Sequence, residues 1–296
     1  PDLAKALLGG MQAERRLDTP DGAVTFSGSD ALQQVKDLAE PRPLGAEQSN
    51  VSIAFGNSII LKLYRRLRAG EQPDVEVARF LTGVGKFAGT PTFLGEVQHC
   101  PVDGEPTTLA AAFAFVANQG DAWAAVTRML EQKLLEGTGD AAAWTGAILG
   151  QRTAEMHKAL ATDTSDSAFS VETLLSADVA GWVNEVVAET HDMLDQLQNG
   201  LAKLSPSARA IASEVLGARD LLIGRIAAAS TMQPSGGRSR IHGDYHLGQV
   251  LITDSDVMII DFEGEPKRSL AERRAKSSPL RDVAGMLRSF HYAAWT

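Results

Sequence analysis

The chain has 296 residues, 44% of them hydrophobic and 22% charged, a composition that builds a substantial folded core and excludes a disordered chain. A formal net charge of −9 and a pI near 5.2 argue against a large basic nucleic-acid surface. The lone cysteine, Cys100, excludes an internal disulfide framework and fits a reducing, cytoplasmic compartment, and the most apolar run, residues 109–117, is too short to span a bilayer.

The first residue is Pro1 rather than Met, and no secretory signal follows, so the natural N-terminus is expected upstream. LAKALLGGMQAERR reads as a helix, and the turn and alternating apolar residues of TPDGAVTFSG read as a strand. From residue 41, VSIAF and SIILKLY are β-rich segments joined at Gly56 and Asn57, a hairpin turn, with Lys62 inside the second strand. QPDVEVARFL predicts a helix starting at Pro73 or Asp74, with Glu76 in its first turn. Read alone, Lys62 is an edge-strand solvating charge and Glu76 an acid favoured by the helix dipole. Before these strands, GAEQSNVS carries one glycine and no GxGxxG or Walker pattern. After them, the apolar half of TLAAAFAFVANQGDAW ends at Asn118, Gln119 and Gly120.

Residues 121–232 are helical by periodicity. AWAAVTRMLEQKLLEG, WTGAILGQRTAEMHKALA and WVNEVVAETHDMLDQLQNGLAKL carry apolar residues at three- and four-residue spacing, and one further helix is expected over SPSARAIASEVLGARDLLIGRIAAA, with Ser205 as cap and Pro206 at its first position. His157 and His191 lie inside these helices and are read as structural.

The richest stretch follows: IHGDYHLGQVL, then VMIIDFEGEP. Val250–Ile252 and residues 257–260 form two short strands around a TDSD turn, so the hairpin returns Asp261 close to Gln249. Asp244, a carboxamide five positions later and a second Asp seventeen positions after the first match the protein-kinase arrangement of base and magnesium ligands. Taken singly, each Asp is a turn residue or cap; the joint pattern points to Asp244 as catalytic and to Gln249 and Asp261 as metal ligands. His242 and His246 have helical spacing for a metal pair, but the surrounding Gly and Tyr indicate a loop and no zinc set is completed, so His242 is read as packing that braces the loop.

HGDYHLGQVL with DFEGEP, followed by SPLRDVAGMLRSFHYAAW, resembles the bacterial maltokinases, including forms fused to trehalose synthase, within the aminoglycoside-phosphotransferase-like group. RPLGAEQSNVSIAFGNSIILKLYRRL, QPDVEVARFL and FVANQGDAWAAV extend the likeness from about Pro41 to the last residue. The resemblance implies an α+β, bilobal protein kinase-like fold. It comprises a partial or shortened N-terminal cap at 1–40, a β-rich small lobe at 41–117 and a largely helical catalytic lobe at 118–296. It also implies an ion pair of Lys62 with Glu76 at the nucleotide phosphates. Gln48, Ser49, Asn50 and Ser52 fall in the phosphate loop, and Phe115, Val116 and Ala117 form the hinge that reads adenine. Glu263 binds metal as a second carboxylate or orients Gln249. Arg281 and Asp282 brace the catalytic loop, and the basic residues of EPKRSLAERRAKSSP stay solvated in a polar loop.

The implied activity is ATP- and Mg²⁺-dependent phosphorylation of a sugar, maltose at its anomeric hydroxyl, with trehalose synthase as a fusion or complex partner and with neither nucleic acid nor membrane. A glucosamine kinase on the same scaffold is the alternative, and a non-catalytic kinase-like binding module is the alternative of another class. Maltokinases carry further helices that supply sugar contacts, so either the large lobe is incomplete at Thr296 or this chain is shorter than that family's members. An acidic residue is expected where His291 stands, which weakens sugar contacts there.

Overall fold

Apolar residues every second position, interrupted by turn residues, build the strands that lie before residue 115. The structure, a computed structural model, describes residues 2–36, 38–44, 50–136 and 141–296. Its elements begin with α1 (Asp2–Gln12), β1 (Arg16–Thr19), β2 (Gly22–Gly28), α2 (Asp30–Gln33), β3 (Pro41–Pro43), β4 (Asn50–Phe55), β5 (Ile59–Tyr64), α3 (Pro73–Gly83), β6 (Phe93–Pro101) and β7 (Thr107–Ala114). Among the described residues the strands form one antiparallel sheet in the order β1-β2-β6-β7-β5-β4-β3. Leu8 and Met11 of α1 pack with Leu32, Ile59, Leu61 and Val97 on one face.

The period of two along β5 sorts its residues between the faces. Ile59 and Leu61 enter the core under α1, while Ile60 and Lys62 line a cavity on the other face. Because β5 lies between β4 and β7, with Lys62 opposite Ser52 and Ala111, the lysine sits on an inner strand and not on an edge. Gly56 takes φ +56° in the β4–β5 turn, a conformation glycine adopts without a Cβ penalty. α3 starts at Pro73 with Gln72 as N-cap, and its first turn is buried from Pro73 to Ala78.

The second lobe is helical. α4 (Ala122–Glu136) and α5 (Ala141–Leu160) surround the hairpin of β10 (Val250–Ile252) and β11 (Val257–Ile259), and α9 (Leu270–Arg274) and α10 (Leu280–Trp295) follow. Leu149, Met156, Leu160, Tyr245, Leu247, Val250, Ile259 and Met286 form its core. α9 was not expected: the stretch after DFEGEP reads as polar loop, yet Ser269 and Glu272 close a reciprocal capping box that starts a helical turn.

Residues 171–238 form a separate compact unit, distinct from the one made by residues 1–170 and 239–296. It holds β8 (Glu172–Thr173), α6 (Ser176–Gly200), α7 (Pro206–Gly217), α8 (Arg219–Ala228) and β9 (Gly237–Arg238). Arg238 joins Glu172 at 2.7 Å and Asp178 at 2.8 Å, which closes the β8–β9 end of the unit. Ser205 caps α7 as expected, accepting from Ala208 N at 3.3 Å. The single helix expected after it is broken, because Ala218 adopts φ −91°, ψ 7° after Gly217, a poor helix former. Among the described residues no helix is long and apolar enough to cross a membrane.

Candidate active site

The β10–β11 hairpin performs the return that its sequence predicts. Ile260 N donates to Gln249 O at 3.0 Å, and Gln249 Nε2 donates to Asp261 Oδ2 at 3.1 Å. Asp261 has φ +67°, a conformation costly for a residue with a side chain and concentrated at functional sites. Its other oxygen lies 3.3 Å from Lys62 Nζ.

Lys62 also donates to Asp74 Oδ2 at 2.9 Å, and Asp74 Oδ1 accepts from Phe262 N at 3.1 Å. One aspartate therefore joins the lysine, the first turn of α3 and the segment after Asp261. Glu263 completes a trio with Asp74 and Asp261 whose ligand atoms all lie within 4.8 Å of one another, and it accepts from Asn50 Nδ2. Burial works against a charged Lys62, but Asp74, Asp261 and Glu263 outweigh it and raise the pKa. Burial would also raise Asp261; Lys62 and His242 instead hold it below the usual carboxylate range. Glu263 has no such excess of positive charge, and burial followed by repulsion from Asp261 and Asp74 pushes it up to about 7. Crowded hard oxygen donors with one carboxyl left poorly neutralised fit a divalent cation such as Mg²⁺.

Asp74 and Asp261 of the trio, with Lys62, line a cavity of about 240 Å³ together with Ser52, Ile60, Phe115, Val116, Leu251 and Phe262 among others. A mostly apolar slot that ends in a lysine and carboxylates suits a flat aromatic base followed by phosphates.

Asp244 faces a different space, a cleft of about 730 Å³ that it lines with Asp121, Trp123, His246, Glu265, Arg288 and Tyr292. The loop carrying it is held from beneath by Asp282 at the start of α10, whose two oxygens accept from His242 N and Gly243 N at 2.9 Å each. His157 Nε2 stands 2.9 Å from the same carboxylate. Burial would raise Asp282; the bonds from His157 and the loop amides, with His242, hold it below the usual carboxylate range. His242 braces the loop as expected, donating from Nε2 to Ile260 O at 2.9 Å and packing against Tyr245 and Phe262. His246 is a local cap accepting from Gly248 N at 3.1 Å.

Asp244, Asp261, Ser52 and Lys62 therefore line one of the two spaces, Gln249 holds Asp261, and Asn50 holds Glu263 beside Asp74 and Asp261. Glu76 does not join Lys62. Asp74 and Glu76 are two positions apart on a helix, about 200° around the axis, so only one can face the lysine. Glu76 points the other way, to Arg240 Nη1 at 2.7 Å and to Arg274 Nη2 at 2.7 Å. Of the hinge residues, Phe115 and Val116 line the slot and Ala117 does not, while Phe115 N is engaged by Ser58 O at 2.9 Å. Gln48 and Ser49 lie outside the described residues. The basic residues of the 265–279 stretch are not simply solvated: Arg273 Nη2 donates to Pro266 O at 2.8 Å and Lys276 Nζ to Ser167 O at 2.7 Å. Sequence reasoning missed Asp74, His157 and Arg240. For Asp74 the signal was present, a second acid in the same first turn.

A sheet lobe and a helical lobe with a buried lysine and a carboxylate trio suit a phosphotransferase, and residues 39–291 match the model of the phosphotransferase enzyme family, to which the chain belongs. The chain is similar to a glucosamine kinase of Streptacidiphilus jiangxiensis, 26% identical over 281 residues, and to one of Mycolicibacterium smegmatis, 28% identical over 263. The matches cover 94% and 86% of this chain, and the chain spans 59% of each relative's length. Among solved structures, a glucosamine kinase in a second crystal form has a TM-score of 0.72 at 22% identity, with 98% of this chain and 64% of that one covered. A glucosamine kinase in complex with glucosamine, ADP and inorganic phosphate gives 0.71 at 22% identity, covering 98% and 63%. These structures establish the fold. The maltokinase resemblance holds at the level of the wider phosphotransferase family, since the relatives found here are named for glucosamine.

Proposed function

We propose that this chain carries the catalytic part of an ATP-dependent sugar kinase whose acceptor is an amino sugar of the glucosamine kind. The observation that carries the reading is the joining of Lys62, Asp74 and Asp261 at the end of the apolar slot, with Glu263 beside them. Bound Mg²⁺ supplies charge neutralisation for the nucleotide phosphates, held by Asp261 and Glu263 with the Gln249 carboxamide. Lys62 binds phosphate oxygens, Ser52 borders the same space, and Asn50 holds Glu263. Asp244 orients the acceptor hydroxyl and takes its proton as that oxygen bonds to the γ-phosphorus and the bond to the ADP oxygen breaks.

Two features favour an amino sugar over maltose. The relatives named above are glucosamine kinases, and the cleft at Asp244 carries three further carboxylates, of which Asp282 is taken up by the loop amides and Glu265 is paired with Arg268 and Arg281, which leaves Asp121 beside Asp244 as the group suited to an ammonium. Trehalose synthase, expected as a partner from the maltokinase resemblance, draws no support from these relatives. A coupled ADP-release assay with glucosamine, maltose, glucose and aminoglycosides tests the reading. Turnover with glucosamine well above that with maltose is the expected result; preference for maltose overturns the acceptor, and ADP release with none of them favours a nucleotide-binding module.

A further inference from the structure

Glu76, displaced from the lysine, is clamped by two arginines from different stretches of chain. Arg240 Nη1 reaches its Oε2 at 2.7 Å, while Arg274 reaches Oε2 through Nε at 2.9 Å and Oε1 through Nη2 at 2.7 Å. Arg240 stands four residues before Asp244, and Arg274 closes α9. Ser239 and Ser277 exchange backbone bonds of 3.0 and 2.8 Å, so the two arginines belong to one cradle. Arg240 is 1% exposed, and its guanidinium carbon lies 5.2 Å from the Phe169 ring, which stacks on Phe80 of α3 at 3.8 Å. The helix is thus gripped by charge in its first turn and by an aromatic stack one turn later.

Asp74 leaves the opposite side of that first turn toward Lys62. A helix is nearly rigid over one turn, so whatever fixes the direction of Glu76 also fixes that of Asp74. We infer that Arg240 and Arg274 are positioning residues for Lys62: through Glu76 they set the rotation of α3 at which Asp74 meets the lysine. Arginine suits the task because its planar fork fixes direction as well as distance, as in the two-pronged contact of Arg274. The clamp also ties the phosphate end of the slot to the segment leading into Asp244, so nucleotide and acceptor groups share one frame. The inference rests on the proposed function only in taking Lys62 as a nucleotide-phosphate ligand.

The test is titration calorimetry of Mg·ATP on the whole chain, with Arg274→Ala as lead variant because its side chain is 36% exposed and its loss is tolerable to folding. Arg274→Ala is expected to weaken nucleotide binding about 10-fold, and Arg274→Lys, which keeps the charge but not the fork, to recover only a minor part of that. In a Lys62→Met background the same Arg274→Ala change is expected to cost almost nothing, since residues acting through one another are not additive. Wild-type affinity in Arg274→Ala, or an equal loss in both backgrounds, overturns the inference. If the natural chain binds no nucleotide, the kinase reading falls, and hydrogen exchange decides the clamp by itself. Amides of residues 75–80 exchanging about 10-fold faster in Arg274→Ala support it, and unchanged exchange sinks it.

Discussion

The ammonium of Lys62 lies 2.9 Å from Asp74, the second residue of α3, and not beside Glu76 two positions later. Asp74 is 2% exposed and also accepts from Phe262 N and Tyr64 OH, so its charge is shared among the lysine, the sheet and the segment after Asp261. Asp74→Asn keeps an oxygen for Phe262 but loses the charge that holds Lys62. The expected outcome is an ATP KM raised about 10-fold with a lower kcat, measured by steady-state kinetics over a range of Mg·ATP. Unchanged nucleotide kinetics would contradict the pairing.

Lys62→Met should cost more. It leaves Asp74, Asp261 and Glu263 crowded with no cation among them, and breaking a buried pair in this way destabilises by about 3–5 kcal/mol. Urea titration with and without Mg²⁺ checks this: the midpoint should fall, and saturating Mg²⁺ should restore part of the loss through its preference for the folded state.

Asp244 has a separable role. It lines the larger cleft and is absent from the lining of the apolar slot that holds Lys62. Asp244→Asn should lower turnover by about 10²–10⁴-fold, the usual worth of a positioned base, while Mg·ATP affinity measured by calorimetry stays near that of the natural chain. Near-normal turnover would remove Asp244 from the chemistry.

Asp282 is the support on which Asp244 depends. Its carboxylate accepts two loop amides at once and meets His157, and Asn has a single acceptor oxygen. Asp282→Asn is therefore expected to cost about 2–3 kcal/mol in stability and to reduce kcat more than nucleotide affinity. Thermal denaturation and a comparison of kcat with KM separate the two effects.

How much of this was legible in the chain depended on the range of the interaction. The Gln249 and Asp261 geometry follows from a hairpin with period-two strands and a four-residue turn, all local, whereas the loop of Asp244 is held by the distant Asp282. The Ser205–Pro206 start and the Pro73 start are local too, and both stand where the sequence places them. The partner of Lys62 was not legible, because a string of letters puts two acids in one helical turn without saying how the helix is rotated. That rotation is set by Arg240 and Arg274, which lie 164 and 198 positions from Glu76. Glu272, three residues after Ser269, was a readable signal for α9, hidden by the polar composition around it.

Glu96 gives a pH dependence remote from the chemistry. It sits on β6 at 4% exposure, with Oε1 bonded to Arg79 at 2.7 Å and Oε2 buried without a hydrogen-bond partner among the described residues. The Arg79 side chain is 45% exposed and shared with Glu71, so water screens its help. Burial prevails, and Glu96 is pushed up to about 7. A carboxyl whose folded pKa lies above its unfolded value strengthens the fold fully below the unfolded value, near 4.3, and that strength is lost as pH rises through about 7. Glu96→Gln keeps an acceptor for Arg79 and has no charge to bury. Between pH 5.5 and 8.5 the natural chain should therefore lose on the order of 2–3 kcal/mol more stability than the variant. In melting curves the lead of the variant over the natural chain should grow by several degrees from the acidic to the alkaline end. Parallel curves across that range would place the proton elsewhere.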